Sequence, residues 1–146
     1  MEVARVICIN SKGEVLLVEP IKRKGKFELP GGKTKEGETF IAGAIRELYE
    51  ETGVLVAAEN LYQIYRMVDY DFPSIDRIHY SMTCFINTVA VTTKPKPIKK
   101  DEIKSLGWFN PRKLNQIKLE YRSRRFILRY QRMIIDGKFK DSCPHQ

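Results

Sequence analysis

The chain holds only two histidines, His79 and His145, and three cysteines, Cys8, Cys84 and Cys143, in 146 residues. No CxxC pair and no Cys/His cluster with zinc-ligand spacing occurs, which removes a structural zinc site. The odd, scattered cysteine count argues against a disulfide framework, and Cys8 and Cys84 lie in apolar runs where a thiol behaves as a small hydrophobe. That usage points to a reducing, cytoplasmic setting. No run approaches the roughly 20 apolar residues needed to cross a bilayer, and Met1-Glu2-Val3-Ala4-Arg5 carries no signal-peptide pattern. A soluble chain with no membrane partner is expected.

What is present suits one globular domain over residues 1–146, with 42% hydrophobic and 30% charged residues. Lys and Arg outnumber Asp and Glu by 26 to 18, a formal net charge of +8. Such a surplus attracts polyanions without naming one, and solubility alone accounts for it equally well.

The β-branched runs Val3 to Ile9 and Val15 to Val18 flank the turn cluster Asn10-Ser11-Lys12-Gly13 and predict a hairpin. Further strands are expected at Phe27 to Leu29, Val54 to Ala58, Leu61 to Tyr70, Ile78 to Val89 and Leu106 to Phe109, in a central mixed sheet. A first helix is expected from Phe40 to Thr52, with Thr39 as N-cap and Gly53 just beyond its end. A second spans about Arg122 to Ile135, with Phe126, Ile127, Tyr130, Met133 and Ile134 on the packing side and Arg124, Arg125, Arg129 and Arg132 left for the surface. Asn110-Pro111 suits the start of a short helical turn. The prolines of Lys94-Pro95-Lys96-Pro97-Ile98-Lys99-Lys100 predict an exposed loop. Strands interleaved with helices give an α/β or α+β layered domain.

The informative segment follows Leu29-Pro30-Gly31-Gly32. On the first helix Glu47, Glu50 and Glu51 stand at i, i+3 and i+4, within a sector of about 100°. Ile41, Ile45 and Leu48 fall on another sector, so one side of the helix can be buried while the acids face a cleft. Like charges at this spacing repel, and a hard divalent cation with oxygen ligands relieves the repulsion. Gly43 lies beside the acids although a mid-helix glycine costs about 1 kcal/mol relative to alanine. Close approach by a ligand, or by a tightly packed loop, explains it. Arg46 neighbours Glu50 and can orient a carboxylate. A bare ExxEE spacing is more often a solvated face than a site.

The wider pattern changes that weighing. Residues 32–54 read Gly-x5-Glu-x7-Arg-Glu-aliphatic-x-Glu-Glu-x-Gly-aliphatic and resemble the Nudix box at every fixed position. The resemblance implies an α/β/α sandwich with a central mixed sheet and the box as loop-helix-loop. It further implies hydrolysis of a nucleoside diphosphate linked to another moiety, with Mg²⁺ or Mn²⁺ as cofactor. In that family scheme Glu47, Glu50 and Glu51 hold the metal, the Gly31 carbonyl adds a ligand, Arg46 orients Glu47, and Glu38 supports the loop. Glu47 or a neighbouring carboxylate accepts the proton from water. Glu102 or Asp101, before the Leu106 to Phe109 strand, is a candidate for a further ligand.

Specificity lies outside the box. Phe27, Tyr70, Phe72, Tyr80 and Trp108 are candidate stacking surfaces for a base, each more often core than ligand-facing. Lys22, Arg23, Lys24 and Lys26 form a basic loop able to meet a phosphate tail. The small chain is similar to MutT-like members, which implies cleavage of a nucleoside triphosphate, canonical or oxidised, to monophosphate and pyrophosphate. Tyr70, some sixteen residues beyond the box, fits members acting on dinucleoside polyphosphates, whereas a proline associated with ADP-ribose is missing. RNA-cap or RNA 5′-end processing, or an RNA-binding Nudix protein using the basic second helix, is the reading from a different class. Monomer and homodimer remain equally open.

Overall fold

The computed structural model describes residues 2–68, 81–135 and 137. Among these residues six strands and two long helices are formed in the order β1 (Glu2–Ile7), β2 (Val15–Pro20), β3 (Gly31–Lys33), α1 (Phe40–Thr52), β4 (Leu61–Val68), β5 (Ser81–Asn87), β6 (Ile103–Phe109) and α2 (Tyr121–Ile135). Four strands make a mixed sheet in the order β3-β1-β5-β4, with β1 and β5 parallel and the other two pairings antiparallel. The remaining two, β2 and β6, pair antiparallel as a separate sheet. The mixed sheet is therefore as expected, but the strands divide between two sheets.

The expected hairpin survives only at its root. The turn forms, with Asn10 Oδ1 accepting the Lys12 and Glu14 N–H groups at 3.0 and 2.9 Å, and a single bridge joins Ile9 to Val15. Beyond it the strands separate. Both edges of β1 are already taken, by β3 and β5, so β2 pairs with β6 instead.

Two further strand expectations fail for a related reason. Phe27 to Leu29 makes only isolated bridges, Glu28 to Val18 and Phe27 to Leu119, and the ladder begins one step later, at the glycines, after Pro30, which has no N–H to donate. Val54 to Ala58 leaves α1 without a ladder partner, and its β-branched residues do not make a strand by themselves. Val54 is buried while Leu55 is 75% exposed. The β4 and β5 expectations hold over Leu61–Val68 and Ser81–Asn87; their continuations at Tyr70 and at 78–80 fall outside the described residues.

Alternation along the strands explains how two cores arise. From β1, Val3 and Ile7 join a cluster with Leu17, Met82, Cys84, Ile86, Phe126, Ile127 and Tyr130. The intervening Ala4 and Val6 join Cys8, Leu16, Phe85, Ala44 and Leu48. Successive side chains point to opposite faces, so a strand apolar on both faces needs a covering layer on each. Helix α1 covers one, against β1 and β3, and α2 contributes to the other, against β4. Burial raises the Cys8 thiol to about 12 and pushes Cys84 up as well, so both behave as protonated hydrophobes.

The first helix begins and ends where its capping residues predict. Thr39 Oγ1 accepts the Ala42 N–H at 3.1 Å, and Gly53, at φ 72°, returns its N–H to the Tyr49 carbonyl at 2.8 Å. Asn110 caps a short 3-10 helix over Pro111–Gln116. Ahead of α2, Glu120 accepts the Arg122 and Ser123 N–H groups at 3.0 and 2.8 Å, and Ser123 Oγ in turn accepts the buried Leu29 N–H at 2.9 Å. The second helix is thus tied to the chain just before the glycines. Phe126, with no exposed surface and its ring 5.9 Å edge-on from Tyr65, anchors the α2 side. Phe126→Ala should lower the unfolding free energy by about 3–5 kcal/mol in denaturant titrations. A loss below about 1 kcal/mol would contradict this core.

Candidate active site

The loop leading into α1 is built around its glycines. A β-carbon at Gly31, whose φ is 146°, would run into the Ala4 carbonyl. One at Gly32 would lie 2.7 Å from the Glu47 carboxyl carbon. The first absence lets the loop pair closely with β1, and the second lets its backbone approach an acid of the helix. Gly43 has the packing role: the side chains of Thr34 and Glu38 lie over it, at 2.7 and 3.0 Å from where its β-carbon would be.

Arg46 gathers the acids. Its Nε and Nη2 donate to the two oxygens of Glu38 at 2.8 and 3.0 Å, and Nη2 also reaches the Lys33 carbonyl at 3.1 Å. Its Nη1 donates to Glu47 at 3.0 Å and Glu50 at 3.3 Å. This bidentate pairing holds Glu38 down to about 2, helped by the Lys35 N–H, and holds the Arg46 pKa up in return. Glu38 therefore stays charged and pins the 35–38 turn to the helix. Glu50 takes a second cation, Lys99, at 3.1 Å.

Glu51 faces the other way, into the protein. It is only 9% exposed and accepts the Gly31 N–H at 3.0 Å. Burial raises its pKa to about 8; the Gly31 bond and Arg5 oppose the shift, and Glu47 and Glu28 add to it. Beside it the almost fully buried Glu28 is clamped between Arg5 and Arg23, each at 2.7 Å. Arg5 also donates to the Leu29 and Gly31 carbonyls at 3.0 and 3.2 Å, so it fixes the strand that carries the glycines.

Glu38, Arg46, Glu47, Glu50, Glu51 and the Gly31–Gly32 backbone are thus brought to one end of α1. Glu102 comes within reach through Lys99, whose ammonium is 4.0 Å from its carboxylate; Asp101 is exposed. The expected convergence of three carboxylates is looser than the helix wheel implies. Among the described residues, no three of His, Cys, Asp or Glu are grouped closely enough to hold an ion, because Arg46 and Lys99 occupy Glu47 and Glu50 while Glu51 bonds Gly31. The donor set nevertheless fits a hard cation: all donors are oxygens, and burial keeps the Glu51 charge poorly compensated.

The candidate substrate residues scatter. The Phe27 ring stacks obliquely on Phe109 at 4.8 Å and packs against the larger core. Trp108 packs against the smaller one, on the α1 side. Lys22, Arg23, Lys24 and Lys26 are exposed on a loop whose Gly25 N–H is held by Glu19 at 2.7 Å, but Arg23 spends its Nε on Glu28. Tyr70, Phe72 and Tyr80 lie outside the described residues. Sequence reasoning missed Arg5, Glu28 and Lys99. Glu28 and Arg5 each had a signal, a charged residue between apolar neighbours, Phe27 and Leu29 for one and Ala4 and Val6 for the other; Lys99 had none.

Comparison with known proteins gives a family match over most of the chain. The NUDIX domain family model matches residues 1–130. The chain is 43% identical over 61 residues to an RNA pyrophosphohydrolase of Helicobacter pylori, covering 42% of this chain and 39% of that protein. It is 35% identical over 63 residues to an 8-oxo-dGTP diphosphatase of Buchnera aphidicola, covering 43% and 48% respectively. The matched region spans less than half the length of these curated relatives. In fold it resembles the NUDIX domain of Shewanella oneidensis NrtR, solved with ADP ribose, at a TM-score of 0.74 and 17% identity, covering 92% of this chain and 88% of that one. The family match spans residues 1–130 and contains the box at 32–54, so the chain belongs to the Nudix family.

Proposed function

We propose that this chain is a Mg²⁺- or Mn²⁺-dependent pyrophosphohydrolase that splits a phosphoanhydride in a nucleotide. The observation that carries the reading is the placement of Glu47 against Gly32 and of Glu51 on the Gly31 N–H, with Arg46 holding Glu47 and Glu50 from the other side. Glu47, Glu50 and Glu51 would hold the ion, with the Gly31 carbonyl and Glu102 as further oxygen ligands. A bound divalent ion neutralises phosphate oxygens and activates water. The protein's own work is positional: Arg46 aims Glu47, Glu38 anchors Arg46 and the loop, and Glu47 takes the proton released by the attacking water.

The preferred substrate is a nucleoside triphosphate, canonical or oxidised, cleaved to monophosphate and pyrophosphate. A relative named as an 8-oxo-dGTP diphosphatase supports it, as does the basic 22–26 loop, which can meet a phosphate tail. RNA 5′-end processing is the second reading, favoured by a relative named as an RNA pyrophosphohydrolase and by the arginines of α2. Dinucleoside polyphosphates rest on Tyr70 alone.

A substrate panel with Mg²⁺ or Mn²⁺ separates these by product. Pyrophosphate from free triphosphates supports the first; release only from 5′-triphosphorylated RNA, with salt-sensitive affinity, supports the second. Glu47→Gln and Glu51→Gln should each lower kcat by about 100-fold or more. Turnover undiminished in both would remove the site assignment.

The buried acid also predicts a pH effect on the metal-free fold. Because the native Glu51 holds its proton to about pH 8 and the unfolded chain releases it near the ordinary value of 4.5, stability from this group is complete below 4.5 and is lost as pH rises through 8. In chelator, the wild-type melting temperature should fall between pH 5 and 9 more steeply than that of Glu51→Gln, and added Mg²⁺ should restore the wild type selectively. Parallel pH profiles for the two proteins would show that Glu51 is not strained by burial.

A further inference from the structure

The Lys94–Lys100 stretch is exposed, as its prolines predict, yet its backbone is fastened to the end of α1. The Lys96 N–H donates to the Thr52 carbonyl at 2.7 Å, and the Ile98 and Lys99 N–H groups both donate to the Glu50 carbonyl at 3.0 and 2.9 Å. The backbone of Lys99 is therefore bonded to the very residue whose carboxylate its side chain meets. Its ammonium stands 3.1 Å from Glu50 Oε2 and 4.0 Å from Glu102 Oε1, between two of the acids assigned above as oxygen ligands.

Resting on the metal-dependent reading, we propose that Lys99 is a tethered counter-cation that occupies Glu50 until a divalent ion displaces it, and so sets the metal affinity of the site. The ammonium is a compact point charge on a flexible stem, which suits it to stand in for an ion and to leave. Arg46 cannot act in this way. It is locked by two bonds to Glu38 and one to the Lys33 carbonyl, and only one of its nitrogens reaches Glu50. Lys99 is 43% exposed, so it can turn into water at little cost once Glu50 is claimed. Without it, Glu50 would stand near Glu47 in the metal-free protein with Arg46 as their shared cation. Its presence adds a second positive charge at Glu50 beside Arg46.

The two charges compete for one carboxylate, so removing the tethered one should tighten ion binding by the strength of an exposed ion pair, about fivefold. The test is calorimetric titration of Mn²⁺ into wild type, Lys99→Met, Lys99→Gln and Lys99→Arg, without nucleotide, after melting curves have established that each variant folds. Lys99→Met and Lys99→Gln should each bind Mn²⁺ about fivefold more tightly, and Lys99→Arg, which keeps the charge, should stay within about twofold of wild type. Unchanged or weaker Mn²⁺ binding in the two neutral variants overturns the competition, and a raised KM for nucleotide in them would then assign Lys99 to phosphate contact instead. That outcome leaves the hydrolase reading standing, because wild type would still bind the ion and Glu47→Gln would not. If wild type and Glu47→Gln alike fail to bind Mn²⁺, the metal reading and the competition fall together.

Discussion

Arg46 holds Glu38, Glu47 and Glu50 within 2.8–3.3 Å of one guanidinium, and much of the site depends on that contact. Without a shared cation, the carboxylates of α1 would repel one another and fray the helix that presents them. A planar fork of donors suits the task because it can bind Glu38 bidentately and still reach two further acids. The same contact pins the 35–38 turn, whose Glu38 side chain lies over Gly43, to the helix.

Around this centre the charges are arranged in two layers. The outer layer, Glu47 and Glu50 with Arg46 and Lys99, is partly open to water, where exchanging one cation for another costs little. The inner layer, Glu51 and Glu28 with Arg5 and Arg23, is largely buried. There an uncompensated charge is expensive, and Glu51 keeps its proton to about pH 8.

Legibility from the chain alone varied with how local the signal was. Thr39, Gly53 and Asn110 each end or begin an element through bonds to backbone a few residues away, and those boundaries were readable. The hairpin was misread because strand pairing is decided by which neighbours have a free edge, and β1 is claimed on both sides by segments 26 to 79 residues distant. Phe27 and Trp108 illustrate the same point for side chains. An aromatic residue suited to stacking on a base is equally suited to a core, and both pack there.

The box spacing, and with it the family and the acid-bearing helix, was determined by the order of residues, since turns of a helix convert sequence separation directly into direction. The state of each acid was decided only by the folded molecule. Glu47, Glu50 and Glu51 are the same residue type one turn apart, yet one lies against a glycine, one is paired with a lysine 49 residues away and one is buried on a backbone N–H. Arg46 reaches Glu47 and Glu50 from within the same helix, but the lysine on Glu50 and the burial of Glu51 come from segments that α1 meets through long-range packing.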